Sequence, residues 1–433
     1  MIDLLFFIYA LYTYYTKKYT IALVLFIFFC YRFFRLVPAY LMRFDGPDYA
    51  VGFMILAFLF GTHTIYMAKE DIKLRWYIVA MCIFLVISFG YSVIRYNLSP
   101  SNVFMASRMS LILPCYFLLK CLRQEWIEKT LTILYVITII HGILYVVQCV
   151  TGIPVMGQTA EFDRATGSFR FLNFPPLSDF FLMISVLSPN SIELPERFDK
   201  YKKYFPLVFM ATTICTFGRL KIIATLVVLL YGLWLKGKAT LIIKVAVLTF
   251  ILAIPFSEGL INRMNNDGKT KGDIEVLLNG GMQHMASTGV NKGGTFTYRM
   301  AMLYERINRL SKEDFLDQVF GYGMEYNKDN RSSVVHFKVG HALYTPDISY
   351  PVLIVKYGFL GTLIYLMIWF RMARICKKHK EDDLAFCTYL FIVSILLNDF
   401  SGSQITFFSW MIFPLLMTIY IQNREISNDC NTY

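Results

Sequence analysis

The sequence predicts an all-α membrane protein, a bundle of about 12–13 transmembrane helices with one large, partly helical loop on one side. Three observations carry that expectation. Hydrophobic residues make up 56% of the 433-residue chain and aromatic residues 17%, where soluble domains are about 45–50% apolar. The apolar excess is gathered into runs comparable to the roughly 20 residues that span a bilayer. The alternating segments of roughly ten residues that mark a transmembrane barrel are absent. Lipid offers a backbone no hydrogen-bond partner, so each run is expected to be helical.

Taken in order, the apolar runs fall near 2–15, 20–36, 49–68, 75–94, 106–122, 127–150, 175–188, 204–217, 220–235, 239–256, 347–370, 384–400 and 404–421. They divide the chain into N-terminal membrane helices (1–256), a long polar loop (257–346) and C-terminal membrane helices (347–433). No basic stretch precedes Met1 to Ala10 and no small-residue cleavage site follows, so no cleavable signal peptide is expected.

The formal charge is +12, but its placement argues against a nucleic-acid partner. Lys and Arg cluster in short links between apolar runs: Lys17-Lys18, Lys69 to Arg75, Lys200 to Lys203 and Arg371 to Lys380. That is the pattern of cytoplasmic loops. With 371–380 inside, alternation puts 16–19, 69–75, 120–129, 189–203, 236–239 and the C-terminus inside, together holding about twenty Lys and Arg. The outer side receives 95–105, 151–174, Phe217-Gly218-Arg219, the long loop and 401–403, and Arg32, Arg35 and Arg43 fall there against the rule. The nine cysteines are scattered without a CxxC pair and none lies in the long loop, so neither a disulfide framework nor a zinc site is expected.

The long segments and isolated arginines therefore share the outer side, where function is expected. Asn262 to Gly294 is polar, Gly-rich and without periodicity. From Thr297 the pattern turns helical: Met300, Leu303, Ile307 and Leu310 form one apolar stripe, with Arg299 and Arg306 at its edge. The stripe predicts a helix resting on the membrane part with those two arginines at the seam.

Several residues are chemical candidates. Arg219 interrupts two apolar runs, and an arginine so placed needs a partner or an aqueous cavity; the bland alternative is an interfacial side chain snorkelling to headgroups, a role that suits Lys221. Arg164 and Arg170 bracket Ala165-Thr166-Gly167-Ser168-Phe169, ahead of the helix opening at Pro175-Pro176. A Gly-Ser turn at a helix start presents N–H groups to anions, and guanidinium forks grip phosphate in pairs; ordinary loop arginines are the alternative. Arg108 is a weaker candidate. His341, the last histidine before the chain re-enters the membrane, suits a general base, with His336 as rival. His63, His141, His284 and His379 lack comparable surroundings. Neither candidate has a second ligand at metal spacing, so no catalytic metal and no other cofactor is expected. Gly321-Tyr322-Gly323 reads as a turn, not a phosphate loop.

These motifs in this order resemble the O-antigen polymerase and O-antigen ligase superfamily of bacterial envelope glycosyltransferases. The resemblance spans about 150–400. It rests on Arg164 with ATGSFRFLNFPP, on TFGRLKIIATLVVLL where the family has Ser-Arg-Gly before an apolar helix, and on YRMAMLYERI in the large periplasmic loop. FGYGMEY resembles a Gly-x-Gly turn. HALYTPDISYPVLIVKYGFLG resembles the family's His-Asn-x-Tyr-Leu followed by a Gly-x-x-Gly pair, here Gly358 and Gly361. Gly218 stands for the family's Ser, Leu220 for its Gly and Ala342 for its Asn.

The resemblance implies an enzyme of the bacterial inner membrane that moves a glycan from undecaprenyl diphosphate to an acceptor hydroxyl on the periplasmic face. Arg219 and Arg299 would meet the diphosphate, assisted by Arg164 or Arg170, with Arg306 and Tyr298 beside them. His341 would take the acceptor's proton. A single base without paired carboxylates implies direct displacement with inversion. Polymerase and ligase differ in acceptor, a lipid-linked repeat unit or lipid A-core, and polymerase is the preferred reading; a chain-length regulator is a further expected partner. A lipid-linked oligosaccharide flippase or other transporter would instead show internal repeats and mid-membrane charges, and no repeat is found.

Overall fold

The structure, a computed structural model, describes residues 2–36, 44–60, 71–156, 161–163, 168–171, 173–216, 218–253, 295–327, 332–335, 348–400, 402 and 404–430. The helices are α1 (Ile2–Tyr15), α2 (Tyr19–Cys30), α3 (Gly46–Phe60), α4 (Ile72–Arg95), α5 (Pro100–Ser107), α6 (Cys115–Leu119), α7 (Gln124–Thr151) and α8 (Ser178–Leu187). After the single turn α9 (Glu196–Asp199) come α10 (Phe205–Cys215), α11 (Arg219–Leu235), α12 (Ala239–Ala253), α13 (Thr295–Leu310), α14 (Phe315–Phe320), α15 (Ser349–Lys378), α16 (Asp383–Asn398) and α17 (Ile412–Cys430). Two antiparallel hairpins are the only strands among the described residues. β1 (Glu161–Asp163) pairs with β2 (Ser168–Arg170), and β3 (Met324–Asn327) with β4 (Ser332–Val335).

Among the described residues each apolar run contains helix, as expected where a backbone must satisfy itself. Four helical stretches are long and apolar enough to cross a membrane: Ile72–Arg95, Pro100–Leu119, Gln124–Thr151 and Ser349–Lys378. Six others, including α8 and α16, are apolar but shorter. Local chemistry sets several boundaries. Asp71 caps α4 by accepting from the Leu74 N–H at 2.7 Å, and Asp382 caps α16 through Leu384 and Ala385. Gly152, left-handed at φ 71°, ends α7, the usual helix stop for a residue without a Cβ. The interior is aromatic: Tyr135 packs edge-on against Phe181, Phe205 and Phe209, and Phe180 meets Phe391 and Phe413.

Side-chain contacts sort the connections into two ends. At one end Arg371 pairs with Asp71, Lys236 with Asp383 at 2.5 Å and with Ser188, and Arg424 with Asp382 at 2.6 Å. There too Tyr420 donates to Glu128 at 2.8 Å and Tyr19 packs on Trp126. At the opposite end Arg95 pairs with Asp314 and Asp317 and Arg108 with Asp48. Arg32 lies beside Asp45 and over the Phe407 ring, on the same side as Trp410.

Candidate functional site

The arm from Phe171 to Phe174, which follows the β1–β2 hairpin, is fastened by α7. His141, Tyr145 and Gln148 recur at helical spacing on one buried face of that helix. His141 Nε2 lies 2.8 Å from the Asn173 carbonyl oxygen, which fixes the proton on that nitrogen. Gln148 Nε2 donates to Asn173 Oδ1 at 2.6 Å. The Tyr145 hydroxyl lies 3.1 Å from the Phe171 carbonyl and 3.2 Å from that of Cys215, so one side chain ties the arm to the end of α10. A polar stripe inside a membrane-length helix is costly unless satisfied. The i, i+4, i+7 spacing of His141, Tyr145 and Gln148 was the available signal, and the sequence reading passed over it by treating His141 alone.

Three residues beyond Gly218, Lys221 corrects a second expectation. It is not a snorkelling side chain: it is 8% exposed, with Nζ 3.4 Å from Asp179 Oδ2 and 3.7 Å from the Phe174 ring centroid. Thr213 donates to the other Asp179 oxygen at 3.2 Å. A buried lysine needs such partners, because an isolated charge there is far costlier than a paired one. The contact holds the arm against the first turn of α11, where Arg219 is the opening residue. Arg170, the last residue of β2, is thereby brought by the backbone to the same region as Arg219. Asp179 in the first turn of α8 and Asp399 after α16 sit at helix ends.

The second half is built by α13, α14 and α15. α13 begins at Thr295, with Tyr298 in its first turn, and packs on α15. Leu310 is buried, but Ile307 is 41% exposed and Arg306 only 3% exposed. The packed face therefore runs through Arg299, Leu303, Arg306 and Leu310, about one residue around the helix from the stripe read in the sequence. Arg306 Nη1 lies 2.8 Å from Glu305, and a buried guanidinium tolerates that position because it is paired and its stem is apolar. Arg299 is half-buried.

α14 docks through charge and through glycine. Tyr91 and Tyr96 each donate to Asp317 Oδ1 at 2.5 Å, and Arg95 reaches its Oδ2 at 3.2 Å and Asp314 at 2.8 Å. Burial raises the Asp317 pKa, but the two tyrosine hydroxyls and Arg95 outweigh it and hold the carboxyl below its usual value. Gly321-Tyr322-Gly323, read as a simple turn, is a docking element: the Tyr322 N–H donates to the Val355 carbonyl at 2.9 Å. Its partner is a break in α15 at Gly358 (φ 63°, ψ −172°). Residues 348–358 are enclosed throughout, whereas Phe359 and Leu360 beyond the break are exposed. Ser349 opens α15 by donating to Asp399 at 2.6 Å, and Asp399 also accepts from the Gln404 N–H. That carboxylate fixes the point at which the chain arriving from 336–347 enters the bundle.

Of the predicted site residues, Arg164, His336 and His341 lie outside the described residues. The backbones of Arg170, Tyr298 and Arg219 fall at a strand end, a first helical turn and a helix start. α11 runs antiparallel to α16, with Lys236 and Asp383 paired at one end, so Arg219 and Asn398 share the other, near Asp399 and Ser349. Arg108, bidentate to Asp48 at 2.5 and 3.3 Å, is a structural ion pair. Among the described residues no three His, Cys, Asp or Glu side chains gather where they could hold a metal.

No protein-family model matches this chain, and no curated protein matches it in sequence.

Proposed function

We propose that the chain is a polytopic protein of the bacterial inner membrane that transfers a glycan from undecaprenyl diphosphate to an acceptor sugar hydroxyl at the periplasmic face, as a repeat-unit polymerase of O-antigen, capsule or exopolysaccharide. The observation that carries the reading is the sorting of the connections. Lysine-rich links meet at one end of the molecule, while Arg95, the arm that follows Arg170, the start of α11 at Arg219 and the Arg299 helix belong to the other. A lysine-rich end facing the cytoplasm satisfies the charge rule for membrane proteins. On this reading 1–256 and 347–433 form the membrane part and 257–346 is periplasmic.

In the reaction the acceptor oxygen attacks the anomeric carbon of the donor as the bond from that carbon to the diphosphate oxygen breaks. The acceptor proton passes to His341 and the electron pair leaves with the lipid diphosphate. Arg219 and Arg299 face that developing charge, with Arg164 or Arg170 beside them; fixed cations act most strongly where charge appears in the transition state. Tyr298, one residue before Arg299, borders the glycan. Arg306, packed with Glu305, holds α13 in place. With one base and no carboxylate pair, displacement is direct and inverts the anomeric centre.

Gel analysis of surface glycan and lipid-linked intermediates in strains carrying His341→Ala or Arg219→Ala at normal expression tests the reading. Accumulated single repeat units on the carrier lipid are the expected result. Full-length chains retained on undecaprenyl diphosphate, with none on lipid A-core, would reassign the protein as a ligase. Unaltered glycan in both strains would overturn the enzymatic reading.

A further inference from the structure

The lysine-rich end has a cavity of its own, between α1, α2, α3, α6 and α7. Tyr14, Tyr19, Phe26, Phe53, Leu119 and Trp126 are among its walls; the enclosed part is small, about 60 Å³, and opens outward as a groove along these side chains. Its lining is apolar apart from tyrosine hydroxyls, cysteine thiols and the Trp126 indole N–H. Tyr19 and Trp126 pack together with ring centroids 4.4 Å apart, the residue types that settle at headgroup depth in membranes.

The cations around this cavity come from two short stretches. Lys17 and Lys18 lie between Tyr14 and Tyr19, both exposed, in a tight reversal where Lys17 takes a left-handed φ of 62°. Lys120 and Arg123 flank the wall residues Cys121 and Leu122. The Arg123 guanidinium stands 5.5 Å over the Trp126 ring, and the Lys120 ammonium 5.5 Å over Tyr116. Within 16–19 and 120–126 the only acid is Glu125. A hydrocarbon-lined hollow with a basic mouth is complementary to one class of molecule, a phosphate carrying an acyl chain and no compensating ammonium.

We propose that this cavity binds one anionic phospholipid of the leaflet at that end, with an acyl chain among Phe26, Phe53 and Leu119 and the phosphate between Lys17-Lys18 and Lys120-Arg123. Basic pockets between transmembrane helices recognise anionic headgroups in this way. The site lies at the opposite end from the proposed glycan chemistry and does not depend on it; it requires only that these helices cross a bilayer.

The full chain is placed in phosphatidylcholine bilayers containing increasing dibrominated-chain phosphatidylglycerol, with dibrominated-chain phosphatidylcholine as the control. The fluorescence quenched in the parent but missing in Trp126→Phe reports lipid at the cavity. The expected result is half-maximal quenching at a mole fraction at least threefold lower for phosphatidylglycerol. That preference should vanish in Lys120→Gln/Arg123→Gln, with quenching by phosphatidylcholine retained. It should also shrink for the unmutated chain in about 1 M NaCl, where charges are screened beyond about 3 Å. Equal quenching by the two lipids, or a preference that survives both the double substitution and high salt, overturns the proposal.

Discussion

Gly321 and Gly358 share one backbone conformation (φ 79°, ψ −172° and φ 63°, ψ −172°) and meet so closely that neither has room for a side chain. A Cβ on Gly321 would lie 2.7 Å from the Gly358 nitrogen, and one on Gly358 would lie 2.3 Å from the Val319 carbonyl oxygen. That region of φ/ψ is essentially restricted to glycine and costs other residues roughly 1–3 kcal/mol. Gly358→Ala is therefore expected to lower stability by at least that much, because backbone strain and the Val319 overlap add. Gly90→Ala is the control: Gly90 sits in α4 with nothing within 4 Å of an added methyl, and removing a helical glycine gains up to about 1 kcal/mol. Unfolding midpoints in detergent should move in opposite directions. Equal midpoints for Gly358→Ala and the parent would show that α14 does not depend on this contact.

Asp317 gives the docking of α14 a pH dependence with a definite sign. Its burial favours the neutral acid, but hydrogen bonds from Tyr91, Tyr96 and Arg95 favour the carboxylate more, so its folded pKa lies below the unfolded value of about 3.9. A depressed carboxyl contributes stability that is present above the unfolded pKa and lost as pH falls through the folded one. At neutral pH Asp317→Asn should cost about 2–3 kcal/mol, the scale of hydrogen bonds to a buried charge. Below about pH 4 the parent should lose stability faster than the variant until the two converge. Parallel stability curves from pH 7 to pH 3 would contradict the assignment.

These two sites show what the sequence made legible and what it did not. Apolar runs and their spacing are one-dimensional properties, so the helices are legible in the sequence. The Gly321 and Gly358 contact joins positions 37 residues apart in sequence, and nothing local in either motif says that the other is its partner. α13 was readable as an amphipathic helix, but Arg306 was assigned to its edge rather than its packed face because a long cationic side chain counts as polar in any periodicity. The same bias hid Lys221, whose partners Asp179 and Phe174 come from another helix and its preceding arm.

The Lys221 and Asp179 pair is testable as a cycle. Both side chains are nearly closed off from solvent. Lys221→Met leaves a buried carboxylate with Thr213 as its side-chain donor among the described residues, and breaking a buried pair from one side costs about 3–5 kcal/mol. Lys221→Met/Asp179→Leu removes both charges and should recover most of that loss, since a buried pair replaced by apolar groups is often neutral. Thermal unfolding of the three variants decides it. A double variant as unstable as the sum of the singles would mean that the two charges act independently.

Arg306 and the two arginines assigned to the leaving group predict two kinds of variant. Arg306 is 3% exposed beside Glu305, so Arg306→Gln should act first on the fold, lowering the unfolding midpoint and the amount of protein in the membrane. Arg299 is only half-buried, so Arg299→Gln should lower the midpoint less than Arg306→Gln, and Arg219→Gln exchanges two residues of similar helix propensity at the opening of α11 and should keep that helix. If both guanidinium groups meet the leaving diphosphate, each of these two variants should nevertheless lower glycan transfer by about 10²–10³-fold, the cost of removing one preorganised donor from a developing charge. The measurement is transfer from purified lipid-linked repeat units by full-length protein, normalised to folded protein. A stable Arg219→Gln with parental turnover would remove that residue from the chemistry, and a stable Arg306→Gln with lost turnover would exchange the roles assigned to the two positions.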